Sequence, residues 1–352
     1  MADFNINHIT GKQGQQGTVL AGITTVNSTG SMRIPSGPTE NRGGRGRMVF
    51  GGGYFPSPHA NLGTMDYVEI ATLGNAIDFG DYTLARYAFN MGSSSTRGLF
   101  AAGGYPGRPN TGAPEIDYIT FQSQGGANEF GDLSILPVFK AAGFGNGVRG
   151  VFAGGYDGNA PYRGYSHIQY VTIATTGNST FFGDLSVGSR TDMSVADRTR
   201  GCIGGLDTGS NPSTSETNII EYVTTATTGN SKDFGDLTVG RVNSNGCSSS
   251  TTRGLFYSGS PGPGIHKNTI DYITIQTKGN ATDFGDMTNS GNSGGSAHGS
   301  NLTRSVNHDS GAENIVEYVT ITSTGNTQDF GDLTRSSVTS GGVDNSNGSI
   351  GQ

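Results

Sequence analysis

The apolar positions of this chain fall in short runs, and the clearest is IDYITI at Ile270 to Ile275. Tyr, Ile and Thr dominate it, the composition of a β-strand. Apolar side chains fall on both faces, Ile270 and Tyr272 on one and Ile273 and Ile275 on the other, which predicts a sheet covered on both sides. Counterparts begin at Met65, Ile116, Ile168, Ile220 and Val316. A polar loop follows each one, with Gly-Asn at 74–75, 177–178, 229–230, 279–280 and 325–326, and Gly-Gly at 125–126. Gly and Asn tolerate positive φ best, so the loop reads as a turn. A second strand then carries a Phe and ends at Gly-Asp. The unit is a β-hairpin, present six times. Its tyrosines are Tyr67, Tyr118, Tyr170, Tyr222, Tyr272 and Tyr318, and its phenylalanines are Phe79, Phe130, Phe182, Phe234, Phe284 and Phe330. The Tyr-to-Phe distance is 12 every time, as register demands, because a one-residue slip turns every side chain to the other face. From each Phe to the next Tyr the distance is 39, 40, 40, 38 and 34, so insertions and deletions collect in the other half of the unit.

That variable half holds two more strand candidates. One follows an Arg-Gly pair at 97–98, 149–150, 200–201 and 253–254, and reads LFAAGGY, VFAGGY, CIGGLD and LFYSGS. MVFGGGY at Met48 to Tyr54 belongs with these, whereas SVNHDSG after Arg304 has lost the pattern. The other lies just before the Arg-Gly and is small and polar, as in FNMGSSST. Four short strands in a unit of about 50 residues is the signature of a β-propeller blade. The expectation is an all-β, six-bladed propeller over 46–352, preceded by an extended N-terminal arm at 1–45. A last strand-like piece, RSSVTSGGVDNSN after Thr334, is expected to supply the innermost strand of the first blade and so close the ring.

Composition refines this picture. Glycine is 60 of 352 residues and charged residues are 14%, but the glycines recur beside strand-like segments and so mark turns and close packing, not disorder. The net charge of −7 argues against nucleic acid as a partner. No apolar run approaches the length of a membrane span, and MADFNINHIT lacks the features of a signal peptide. Cys202 and Cys247, in different units, read as buried thiols in preference to a disulfide.

The chemistry candidates are few. The Asp-Phe-Gly of the hairpin also occurs where protein kinases hold magnesium. Phe-Gly-Asp recurs six times at regular spacing, four of the copies with Asp before the Phe, and with no accompanying glycine-rich loop or catalytic-loop segment this points to architecture instead. Acidic pairs flank the Phe at Asp78/Asp81, Glu129/Asp132, Asp233/Asp236, Asp283/Asp286 and Asp329/Asp332, while Phe181 breaks the pair before Asp184. They read either as calcium ligands or, preferably, as strand ends whose Asp bonds nearby backbone N–H groups. The six histidines, His8, His59, His167, His266, His298 and His308, form no short-spaced zinc pattern and read as exposed loop or strand-end residues. Trp, the best sugar platform, is absent; Tyr54, Tyr105, Tyr156 and Tyr162 either form a binding rim or contact the neighbouring blade. No catalytic set and no cofactor site is visible, so the chain reads as a non-enzyme.

In the N-terminal segment, GTVLAGITTV at Gly17 to Val26 has strand composition, and Arg33, Arg42, Arg45 and Arg47 cluster nearby in an otherwise acidic protein. The segment reads as a turn flanking the first blade or as an arm that binds identical copies or other proteins by strand pairing and Arg contacts.

The order of the four strands resembles the kelch repeat over residues 46–346, with Phe where kelch units carry Trp. FNINHITGKQGQQGTVLAG, GSMRIPSGPTENRGGRGR and the repeated hairpins together look like virion structural proteins of marine tailed phages, particularly those infecting cyanobacteria. That resemblance covers the whole chain. It implies a particle component (tail, fibre or head decoration) assembled in the host cytoplasm, using the propeller for assembly or adhesion. The alternative is a lectin-like propeller that recognises a host-surface glycan.

Overall fold

The computed structural model of the chain describes residues 46–346 apart from 57–58, 88, 105–111, 136–139, 157–163, 209–215, 243–246, 263–264, 289–296, 309–312 and 338–340. The strand-like segment at 17–26, Arg33, Arg42 and Arg45 lie outside the described residues. Six four-stranded antiparallel sheets form a six-bladed β-propeller. Blade 1 takes Gly341–Asp344, Arg47–Gly51, Thr64–Glu69 and Ile77–Asp81 from axis to rim. Blade 2 takes Asn90–Ser93, Arg97–Ala101, Glu115–Thr120 and Asn128–Asp132. Blade 3 takes Ala142–Gly145, Arg149–Ala153, Tyr165–Thr172 and Thr180–Ser189. Blade 4 takes Met193–Ala196, Arg200–Gly204, Ile219–Thr224 and Lys232–Asp236. Blade 5 takes Cys247–Ser249, Arg253–Gly262, Ile265–Thr274 and Thr282–Asp286. Blade 6 takes Ala297–Ser300, Arg304–His308, Ile315–Thr320 and Gln328–Asp332. A two-stranded ribbon, Tyr54–Pro56 with His59–Asn61, rises from blade 1.

The last strand of the chain is the innermost strand of the first blade, with Val343 opposite Val49. SVNH, although polar, is still a strand, because its partners at Ala297–Ser300 and Ile315–Thr320 fix its backbone on both sides. Its side chains are buried all the same, which the loss of apolar pattern did not foretell.

The six hairpins share one irregularity. In blade 1, Met65 pairs with Gly80 and Asp66 with Asp78, so Phe79 is the extra residue of a bulge; Phe130, Phe182, Phe234, Phe284 and Phe330 occupy the same place. A bulge re-aims its residue. Each Phe is 2–3% exposed and buried between its own blade and the next. Phe234, for example, joins Leu237 and Ile220 of its own blade to Phe256, Ile273 and Ile275 of blade 5. Each Phe meets the Tyr of its hairpin edge to face at 5.9–6.1 Å. Over each Tyr ring lies the guanidinium of Arg47, Arg97, Arg149, Arg200, Arg253 or Arg304, at 4.3–4.6 Å. The same guanidinium donates to a carbonyl of the next blade, from Arg47 to Phe121 and round to Arg304, which reaches Ile70 of blade 1. Such a cation–π contact is worth about 0.5–1 kcal/mol at an exposed site.

The turn of each hairpin clasps the blade before it. The N–H of the turn Gly donates to the carbonyl of the preceding blade's repeated Phe at 2.8–3.0 Å, at Gly125, Gly177, Gly229, Gly279, Gly325 and, closing the ring, Gly74. Two residues on, a second N–H donates to the carbonyl of the Asp in Gly-Asp at 2.7–2.9 Å. The Asn of Gly-Asn adds a third bond, its Oδ1 accepting from that Asp's N–H at 3.0–3.1 Å. Glycine is required on both sides of the contact. The turn glycines have φ of 149–156°, and a Cβ on the Gly of Gly-Asp would stand 2.2–2.5 Å from the facing carbonyl oxygen. The Asp of Gly-Asp therefore joins this contact through its backbone, not through the carboxylate bonding to N–H groups that the sequence suggested.

Only the clasp between blades 1 and 2 lacks the Asn, since Gly126 stands there. Gly126→Asn is expected to supply the missing bond to the Asp81 N–H and to reduce unfolded-chain freedom. A gain of about 0.5–1.5 kcal/mol in chemical denaturation is expected. No gain, or a loss, would show that the Asn bond adds nothing to the two backbone bonds.

Candidate functional site

Antiparallel order divides the ring into two faces. One carries the turns between first and second strands and between third and fourth strands. The third-to-fourth turns span 70–76, 121–127, 173–179, 225–231, 275–281 and 321–327, seven residues each time. The first-to-second turns span 94–96, 146–148, 197–199, 250–252 and 301–303, three residues each. In each of these a Ser, Asn or Asp side chain accepts the backbone N–H of the following Arg, as Asn146 Oδ1 does from Arg149 at 2.7 Å. This constant face is used up in turn formation and blade-to-blade contact.

The opposite face carries the connections from second to third strand and from one blade to the next. Their lengths differ from blade to blade: residues 102–114 and 205–218 are long connections, whereas only 263–264 part the corresponding strands of blade 5. Binding residues concentrate on connections held by a rigid scaffold, and this variable face is where the ring differs from blade to blade. The first and last described residues of the ring lie together at the constant face, where Arg47 N donates to Asn345 Oδ1 at 2.8 Å.

Behind the variable face, each third strand buries an acid or amide just before its Tyr: Asp66, Asp117, Gln169, Glu221, Asp271 and Glu317. Sequence reading missed this row, although its signal, an acidic residue before the Tyr in five of six copies, was present. Five of these side chains are bonded. Asp66 accepts Thr334 N at 3.0 Å, Glu221 accepts Ser231 Oγ at 2.6 Å, and Gln169 accepts Ser179 Oγ at 2.6 Å. Asp117 and Asp271 each pair with a fully buried guanidinium, Arg86 at 2.6 Å and Arg241 at 2.8 Å.

A group of charged side chains gathers between blades 3 and 4. Arg190 pairs with Asp207, and its guanidinium lies 5.4 Å from the Tyr156 ring. Lys140 belongs to the same cluster: burial lowers its ammonium, Asp192 raises it, Arg190 lowers it and Asp207 raises it. Lys140 also has φ +53°, a backbone state few residues other than glycine adopt. Beneath, on the axis, lies a cavity of about 70 Å³ lined by Asp192, Ser194, Cys247, Ser248, His298 and Ser300 among others. An aromatic ring beside hydrogen-bonding charges suits recognition of a polar ligand.

Of the sequence-predicted candidates, Tyr156 reaches this cluster, the side chain of Tyr54 is not described, and Tyr105 and Tyr162 lie outside the described residues. Arg47 is the first blade's Tyr-stacking arginine and also pairs with Glu69 at 2.6 Å, so the ring itself engages the guanidinium that the sequence had grouped with the arm. The histidine expectation needs correction. His298 and His308 are strand residues, 4% and 0% exposed, because blade 6 packs polar side chains where the others pack apolar ones. Cys202 and Cys247 are free, and burial pushes both thiols up. Among the described residues no group of three or more His, Cys, Asp or Glu is placed to hold a metal ion. No protein-family model matches the chain, and no curated protein matches it.

Proposed function

We propose that the chain is a non-enzymatic structural and adhesion component of a tailed-phage particle, held by its N-terminal segment and presenting the variable face outward. The observation that carries this reading is the division of labour between the faces. The repeated Arg, Tyr, Phe, Gly and Asn serve blade-to-blade contact, the described ring begins and finishes at the constant face beside Arg47 and Asn345, and loop variation lies on the opposite one. The likeness of the N-terminal and hairpin sequences to marine phage virion proteins supports the particle setting. In this reading Arg33, Arg42 and Arg45 pair with carboxylates of an identical copy or another virion protein.

Deleting residues 1–32 tests the anchor. The truncated chain is expected to keep its circular dichroism and melting transition but to drop out of the particle or oligomer. Normal assembly would place the anchor in the ring. A second reading, a lectin-like module, is favoured by the Tyr156, Arg190 and Asp207 cluster. On a glycan array it requires saturable binding of one sugar class that Tyr156→Ala abolishes; the adhesion reading without a sugar ligand requires none.

A further inference from the structure

The sixfold repeat lets each blade interface serve as a control for the others. Five of the six connections from a fourth strand to the next first strand carry one basic residue: Arg86, Lys140, Arg190, Arg241 and Arg335. The connection from blade 5 to blade 6, MTNSGNSGGS at 287–296, carries none. The buried acid of the following blade is Glu317, 2% exposed.

Glu317 differs from its five counterparts in its partners as well. Thr83, Thr238 and Thr334 each donate a hydroxyl to the carboxylate of the next blade at 2.6–2.8 Å. Thr288 stands in the equivalent place, but its N–H goes to Thr327 Oγ1 at 2.9 Å. The Glu317 Oε2 is buried with no hydrogen-bond partner among the described residues. Directly opposite Glu317 in the strand pair is Asn307, so the two side chains share a face. Asn307 is fully buried, and neither its Oδ1 nor its Nδ2 has a partner among the described residues. The other blades hold Phe50, Phe100, Phe152, Ile203 and Phe256 at this position. Packing alone does not call for an amide there.

A buried carboxylate without a partner is costly, and so is a buried amide. One cation meets the two acceptor oxygens among these atoms, Glu317 Oε2 and Asn307 Oδ1. In the interfaces of blades 1–2 and 4–5 a guanidinium answers the buried acid and also donates to a backbone carbonyl, Ala102 just past the second strand of blade 2 and Phe256 within that of blade 5. Blade 6 offers the same carboxylate and the carbonyl oxygen of Asn307, and among the described residues no cationic side chain bonds to either the Glu317 Oε2 or the Asn307 Oδ1. We propose that the interface of blades 5 and 6 binds a monovalent metal cation between Glu317 and Asn307. The donors are hard oxygens, which suit an alkali ion better than a soft metal. A single carboxylate balances a single charge, whereas a divalent ion would leave a net charge buried.

The test measures the melting temperature of the full chain in NaCl, KCl and tetramethylammonium chloride at equal ionic strength. The melting temperature is expected to be several degrees higher in the sodium or the potassium salt than in the organic one. Glu317→Gln and Asn307→Phe, the latter taken from the other blades, are each expected to erase the difference. Equal melting in all three salts overturns the proposal, and Glu317 is then satisfied by a proton or water. A difference that survives both variants also overturns it, since the ion then acts elsewhere. Should a variant fail to fold, crystals soaked in rubidium salt decide the matter. An anomalous peak beside Glu317 and Asn307 supports the site, and no peak there overturns it.

Discussion

Phe234→Ala is expected to destabilise the ring by about 3–5 kcal/mol, the range for truncating a well-buried aromatic side chain. Phe234 is 2% exposed and sits in a bulge that turns it into the seam between blades 4 and 5. Its loss opens a cavity among Ile220, Leu237, Phe256, Ile273 and Ile275, residues held by two sheets that cannot both move inward. It also removes the edge-to-face contact with Tyr222 at 6.1 Å, worth about 0.5–1.5 kcal/mol beyond the area buried. Asp283→Asn is the contrast. Asp283 is exposed on the fourth strand of blade 5, and its substitution is expected to stay within about 0.5 kcal/mol of the parent. Chemical denaturation of the two variants checks both values. A Phe234→Ala protein that unfolds like the parent would mean that the seam repacks.

Acid is expected to weaken the ring through two histidines. His298 and His308 are buried in blade 6. Burial, then the nearness of His308, pushes His298 down to about 3 from 6.5. Burial pushes His308 down to about 4, against the bond to the Glu313 carbonyl and the charge of Asp66. Around His298 lie Asn307, opposite it on the neighbouring strand, and the Tyr257 ring at 4.5 Å. The unfolded chain binds a proton at each histidine near its ordinary value, and the folded ring does not until much lower pH. Their stabilising effect is therefore complete above that ordinary value and is lost as pH falls through it toward the folded values. Each pH unit in this window costs about 1.4 kcal/mol per group, so moving from about pH 7 to about pH 4.5 removes on the order of 3–5 kcal/mol. His298→Ser with His308→Ala copies residues found at these positions in other blades, Ser194 and Ala101. Urea titrations at the two pH values are expected to show a much smaller loss in this double variant. An equal loss would assign the acid sensitivity to carboxylates.

The hairpin and the sixfold ring were legible because their signals are local. A constant spacing of 12 between Tyr and Phe is a statement about one turn and two strands. The closing strand was legible because its composition matches the small, polar inner strands. What escaped was contact across seams. Asn230 looked like a turn residue, and it is one, but its side chain bonds Asp184 of the preceding blade, 46 residues back. The Arg–Tyr stacks were hidden for a related reason. The Arg-to-Tyr distance ranges from 14 in blade 6 to 22 in blade 4, because the variable connection lies between them. The histidines escaped because polarity ordinarily signals exposure, whereas in blade 6 the interior itself is polar. The charged cluster between blades 3 and 4 draws on four separate connections, so no single stretch of sequence announces it.

The pairing of Val343 with Val49 has a consequence for how the protein is made. During synthesis three strands of blade 1 emerge before blades 2 to 6, but the sheet lacks its inner strand until Gly341–Asp344 has left the ribosome. Until then blades 2 to 6 can assemble one against another, each able to form from its own stretch of sequence, while the first sheet waits with an open inner edge. Contacts of such long separation are the slow ones, because the whole intervening chain must be ordered before they repay the entropy of closing it. Completion of the ring is thus a late event that reports on every blade before it. A chain that ends early, or misfolds midway, leaves an unpaired edge exposed, the kind of surface that chaperones bind and that seeds aggregation.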